Sequence, residues 1–450
     1  MRQQAHTTTL TLLVVWIAAT GSVGVFLHQN ANLFTRTPRQ SVLPTEGWKS
    51  YQTFSADVNG DGKQDLIWNS VGPDAADNGN YVYVGFSQGD GAFTRAPRQS
   101  IPPNGGWKYY QTYLADVNGD GKMDLIWNST AQGSVGDANY VYAGLSNGDG
   151  SFDRLDRQNF NPPGGWGSYR TFTGDVNGDG LDDLIWNSIY QNPAAANYVY
   201  AGLSNGDGTF TRTPLQSIPS DQSWYGYETY AGDLNGDGRL DLVWNSIQQS
   251  PTQDANYVYV GLANADGSFT RSARQTIGNE GWRSFKTLLA DLNGDGKDDL
   301  IWNSTQQAPA GDANILYTAL SNGDGAFRIS ERQTIAPDSG WSDYRTLAGN
   351  VTCDGRADLI WNSVQQESGD NNFVYVGVSN GEGTFSRSTH QVIPPESGWS
   401  SYQTLLADLR GWRLLDLVWN STRQSETQDA NFVYAGLVNC RRIYLPLLER

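Results

Sequence analysis

Apolar and polar residues alternate along this chain in short runs, and glycine, asparagine or proline stands between the runs. Tyr51-Gln-Thr-Phe-Ser-Ala, Leu66-Ile-Trp-Asn-Ser and Asn139-Tyr-Val-Tyr-Ala-Gly-Leu-Ser-Asn147 are typical. Aromatic and β-branched residues at a spacing of two predict strands, because successive side chains of a strand point to opposite faces. No run carries the period of a helix.

The runs recur as a unit. Copies open at Phe34, Phe93, Phe152, Phe210, Phe269, Phe327 and Phe385, 58 or 59 residues apart. Each copy holds four strand-like runs with turn residues between them. We name the run at Tyr51 strand A, the run at Leu66 strand B, and the next two C and D. Four strands repeated seven times predict an all-β fold, a seven-bladed β-propeller of four-stranded blades over residues 34–438. The last copy supplies A, B and C from Ser401 to Val438, while Phe34 to Val42 supplies a lone D. The N-terminal strand is therefore expected to complete the last blade, which removes an open sheet edge.

Strands A and B are joined by Asp57-Val-Asn-Gly-Asp-Gly-Lys-Gln-Asp65, and the pattern returns at 116–124, 175–183, 233–241 and 291–299. Side-chain oxygens stand at positions 1, 3, 5 and 9, and position 7 offers its backbone carbonyl. A hard divalent cation such as Ca²⁺ takes six to eight oxygens. Glycine at position 6 suits the sharp turn. The opening of the loop matches an EF-hand, but no Glu stands at position 12 and the flanks are strands. The candidate calcium ligands are Asp57, Asn59, Asp61, Lys63 and Asp65; Asp116, Asn118, Asp120, Lys122 and Asp124; Asp175, Asn177, Asp179, Leu181 and Asp183; Asp233, Asn235, Asp237, Arg239 and Asp241; and Asp291, Asn293, Asp295, Lys297 and Asp299. That gives about five Ca²⁺ sites. A metal-free hairpin turn is the alternative. The sixth loop has Asn350 and Thr352 at positions 1 and 3 and is expected to bind weakly or not at all. The seventh has Arg410 and Trp412 in ligand places and reads as metal-free.

The formal charge of −17 follows largely from these loops, whose ligand positions hold fifteen Asp. No basic stripe invites nucleic acid. Residues 1–27 carry Arg2 and an apolar stretch from Leu10 to Ala19, which reads as a signal peptide or an N-terminal anchor. Residues 439–450 form an atypical tail. Cys353 and Cys440 are read as two thiols, with a disulfide as the alternative that secretion permits.

Opposite the acidic loops, the frame gathers the D–A and B–C connections on one face. The first set carries Trp48, Trp107, Trp166, Trp224, Trp282, Trp341 and Trp399. The second ends in Asn80, Asn139, Asn197, Asn256, Asn314, Asn372 and Asn431. A flat aromatic stacks on a pyranose and an amide meets its hydroxyls, so these are candidate ligand-binding residues. The same residues could instead wedge the blades together and cap loop backbone. The formal glycosylation sequons at Asn128, Asn303 and Asn420 fall in the recurring Trp-Asn-Ser segment and are discounted. The His are His6, His28 and His390, and no HExxH or G-x-S-x-G motif is present, so the chain is not read as an enzyme.

Asp-Val-Asn-Gly-Asp-Gly-Lys-x-Asp-Leu and Gly-Asp-Gly-x-Phe resemble FG-GAP/VCBS repeats, the blades of integrin-alpha-like β-propellers, over residues 34–438. The period and the Gly-Trp loop are also similar to fungal seven-bladed propeller lectins of N-acetylglucosamine-type sugars. Those lectins carry Gly-Phe-Gly where this chain has Ile-Trp-Asn-Ser. The resemblance implies a secreted, monomeric, calcium-binding propeller that acts as a lectin-like or cell-adhesion module, with glycans or a cell-surface protein as partner. Two other readings stand beside it. One is a structural or protein-interaction propeller without sugar binding, and the other an extracellular polysaccharide-processing enzyme.

Overall fold

The computed structural model describes residues 32–42, 47–71, 79–103, 106–130, 138–160, 165–189, 196–219, 224, 226–246, 255–278, 282–305, 313–336, 340–364, 371–394, 398–422 and 430–439. The leader at 1–27 and all but the first residue of the tail lie outside them.

Among the described residues seven antiparallel sheets are formed, as the repeat predicts. In the first blade, strand A is Gln52–Ala56, B is Asp65–Ser70 and C is Asn80–Ser87. Strand D is broken into Phe93–Arg95 and Gln99–Ile101, and both pieces pair with C. The sequence places one D strand where the structure has these two. Between them Ala96 still donates its N–H to the carbonyl of Val84, and Pro97, which has no N–H, sits on the sheet's outer edge where none is needed. The other blades repeat this order.

The ring closes by the expected strand. Phe34–Arg36 pairs with Gly436–Val438, and Gln40–Val42 pairs with Asn431–Val433. Every described blade is then five short strands. Among the described residues no α-helix occurs, and only three 3-10 turns, at Trp107–Tyr109, Trp166–Ser168 and Trp282–Ser284, interrupt the strands.

Strand B is buried along its whole length in every blade except at Ile189, the last residue of the third, with the burial of a sheet covered on both faces. Its Trp explains one glycine. A Cβ on Gly144 of strand C would stand 2.8 Å from the Trp127 ring. The fifth blade holds Ala319 at that place, so the spacing can yield to a methyl group. A β-branched side chain asks for more. Gly144→Val is expected to cost about 2–3 kcal/mol by overpacking, read from the urea midpoint. An unchanged midpoint would mean that the indole moves freely.

Candidate functional site

The acidic loops lie between the inner two strands, and backbone hydrogen bonds link them around the ring. The N–H of the position-8 residue donates to the position-1 carbonyl of the preceding blade: Met123 to Asp57, Asp182 to Asp116, Leu240 to Asp175, Asp298 to Asp233, Ala357 to Asp291, Leu415 to Asn350, and Gln64 to Asp408. A disturbance in one loop is therefore felt by the next.

Within a loop each predicted ligand has a defined place. The Asp57 carboxylate accepts the N–H of Gly60 and of Gly62, both at 2.7 Å. Asn59 Oδ1 accepts the N–H of Asp61 at 2.8 Å. Asp61 pairs with Lys63. The same position-5 to position-7 pairing joins Asp120 to Lys122, Asp237 to Arg239 and Asp295 to Lys297. Leu181 supplies no such charge beside Asp179, and it reaches Gly119 of the neighbouring loop instead. Among the described residues no three carboxylate, His or Cys groups gather as a preformed metal cluster.

Position 9 differs from the rest. Asp65 is the first residue of strand B and is fully buried. Its two oxygens accept the N–H groups of Ser87 at 2.8 Å and Val58 at 3.3 Å. Burial raises its carboxyl to about 7, against the backbone hydrogen bonds that lower it. The same cause lifts Asp124, Asp241 and Asp299 to about 7 and Asp183 to about 6. A buried carboxylate is costly unless something positive stands beside it.

The two divergent loops show how the fold answers that need. In the seventh blade Arg410, at position 3, places its guanidinium on buried Asp416 at 2.6 Å. Its Nε donates to the other oxygen at 3.1 Å. In the sixth, Thr352 at the same position donates its hydroxyl to Asp358 at 2.8 Å. Where the acidic pattern is lost, a cation or a donor from position 3 has taken its place. The sequence shows Arg410 only as a lost ligand.

Cys353 is disulfide-bonded, which corrects the expectation of two thiols; Cys440 lies outside the described residues. Cys353 has a φ of 68°, in the place where the other loops carry glycine.

The opposite set of candidates is in the interior. The D–A Trp residues, from Trp48 to Trp399, are 0–2 % exposed. Trp107 packs edge-on against Trp127 at 5.4 Å and lies 5.0 Å from the Tyr142 ring. A sugar stacks on an open ring face, and these rings have none. The seven C-strand amides are likewise fully buried. The wedging alternative describes them, and the reason is a hydrogen-bond circuit. Asn69 Oδ1 accepts Trp127 Nε1 at 2.9 Å and the Thr112 hydroxyl at 2.5 Å, both from the next blade. Its Nδ2 donates to Asn80 Oδ1 at 2.6 Å. Every interface repeats it, with Asn128, Asn187, Asn245, Asn303, Asn362 and Asn420 each receiving the Trp indole of the following blade. The three sequon asparagines belong to this circuit. The Nδ2 groups of Asn80 and its six equivalents are buried without a protein acceptor. Each needs a small acceptor such as an internal water.

Comparison with known proteins agrees with the repeat. An FG-GAP-like repeat model matches residues 70–127, 187–244 and 250–302. The chain is 26% identical to integrin alpha pat-2 of Caenorhabditis briggsae over 221 residues, which covers 42% of this chain and 17% of that protein. Its Caenorhabditis elegans counterpart is 25% identical over the same shares. The chain thus spans about a sixth of the length of these curated relatives. Among solved structures, the β-propeller domain of the Trilobed protease from Pyrococcus furiosus aligns with 10% identity and a TM-score of 0.43, covering 86% of this chain and 94% of that one.

Proposed function

We propose that this chain, a seven-bladed propeller of FG-GAP-like repeats, is an extracellular protein-interaction or adhesion module stabilised by calcium. The observation that carries the calcium reading is the guanidinium of Arg410 on Asp416. It puts a positive charge on the carboxylate of the loop whose ligand positions 3 and 5 hold Arg410 and Trp412, while Asp65, Asp124, Asp183, Asp241 and Asp299 keep the oxygen-rich pattern instead. In those loops position 9, with positions 1, 3 and 5 and the position-7 carbonyl, would hold the ion. A bound divalent cation supplies the charge that the buried carboxylate lacks and fixes the corner between strands A and B. Calcium at extracellular concentration fills even weak sites.

The interaction reading rests on the likeness of the repeats to integrin alpha chains. The repeated Trp and Asn are spent on holding blades together, which takes from a sugar its stacking platforms and favours a protein partner. The test is adhesion of calcium-loaded protein to cultured cells. Binding that is lost after mild protease treatment of the cells and kept after enzymatic deglycosylation is the expected result. Binding that follows the glycans instead would restore the lectin reading, and no binding to any cell type would overturn both.

A further inference from the structure

The A strands of successive blades approach one another, so they form the inner wall of the ring. Between those of the second to fifth blades lies an open hollow of about 550 Å³, walled by Tyr113, Phe172, Tyr230 and Leu288 together with neighbouring leucines and threonines of the same blades. Its size falls in the range of small-molecule sites, about 300–1,000 Å³. Most of the strand repeats closely from blade to blade. Near its start every copy has a Thr, from Thr53 to Thr404, because that hydroxyl serves the asparagine circuit. The residue before that Thr is held by no such duty and varies: Gln52, Gln111, Arg170, Glu228, Lys286, Arg345 and Gln403, all exposed.

That variable residue lies two positions before the wall residue of the same strand and so shares its side. Two hydrogen bonds fix the arrangement, from the Tyr113 hydroxyl to Gln111 Oε1 at 2.7 Å and from the Tyr230 hydroxyl to Glu228 Oε2 at 3.0 Å. The mouth of the hollow therefore carries Arg170 and Lys286 on either side of the acid Glu228, which already accepts a phenol. Two cations against one acid leave a small positive excess over a chamber of aromatic, leucine and threonine side chains, in a chain whose formal charge is −17.

We propose that the axial hollow binds a small anionic amphiphile, with a carboxylate held by the Arg170 and Lys286 side chains that flank Glu228 and an apolar body against Phe172, Tyr230 and Leu288. Isothermal titration of the calcium-loaded full chain tests it with octanoate, octanol and octyltrimethylammonium. One octanoate per chain is expected, with octanol at least about tenfold weaker and the ammonium weaker still. The double variant Arg170→Gln, Lys286→Gln should lose about tenfold or more in octanoate affinity and leave octanol unchanged. Both side chains are exposed, so its melting temperature should match the parent. Failure of octanoate to bind, equal binding of the ammonium, several molecules bound per chain, or an unaltered octanoate affinity in the double variant would each overturn the proposal.

Discussion

Arg410→Met is expected to destabilise the protein by about 3–5 kcal/mol at pH 7, the usual cost of removing one partner of a buried ion pair. Asp416 is fully buried and Arg410 nearly so, which leaves little water to take over the lost charge. The fold can limit the damage by protonating Asp416. At pH 7 that costs about 4 kcal/mol for a carboxyl of ordinary pKa near 3.9, at 1.36 kcal/mol per unit. The two figures agree, so protonation is the ceiling of the penalty. It also fixes the pH dependence. The variant's carboxyl titrates above its unfolded value, so its deficit is greatest at neutral pH and shrinks as pH falls toward 4. Chemical denaturation of parent and variant at pH 7.5 and pH 5 measures both. The double variant Arg410→Met, Asp416→Asn removes the charge together with its partner and should recover most of the loss. A single variant as stable as the parent at pH 7.5 would show that the guanidinium is dispensable, and the reading of Arg410 as a substitute cation would fall with it.

Arg410 also marks where reading the sequence stops. The repeat, the acidic corner and the closing role of Phe34–Val42 were legible because each is a local pattern or a count. The place of Arg410 was not, because its partner is six residues away around a turn and only the folded loop brings the two together. The sequence left the seven Trp open between a ligand-binding and a wedging role for a related reason. A Trp beside a Gly in a connection reads as surface, while the indole turns inward to pack on a Trp and a Tyr from two other strands. A signal for the correct reading was present. Thr in strand A, Trp-Asn in strand B and Asn at the start of strand C occur together in every copy. Polar groups that always appear as a set beside buried aromatic and aliphatic residues are to be expected to satisfy one another. The break in strand D was visible only as Pro38, Pro97 and Pro214, and the blades without that proline break their D strands as well.

Calcium should raise stability by more than any single substitution lowers it. A ligand bound only by the folded state contributes about 2.7 kcal/mol at a hundredfold excess over its dissociation constant, and five loops share the effect. The linked backbone of successive loops makes the response a property of the ring. In EDTA the parent is therefore expected to melt well below its temperature in millimolar calcium, and elemental analysis of dialysed protein should find about five calcium ions per chain. The effect has a sign in pH. Burial raises Asp65, Asp124, Asp241 and Asp299 to about 7, above the ordinary 3.8. Without metal, the folded state then holds protons that the unfolded chain releases. That stability is complete below about pH 4 and is lost as pH rises through 7. Calcium needs the ionised carboxylates, so its stabilisation runs the other way, large at pH 8 and small at pH 5.5. Single substitutions assign the sites. Asp291→Ala should remove one ion of the five, while Asp408→Ala, in the loop already served by Arg410, should remove none. Identical melting in calcium and EDTA at pH 8 would mean that the five acidic corners, like the seventh, are complete without an ion.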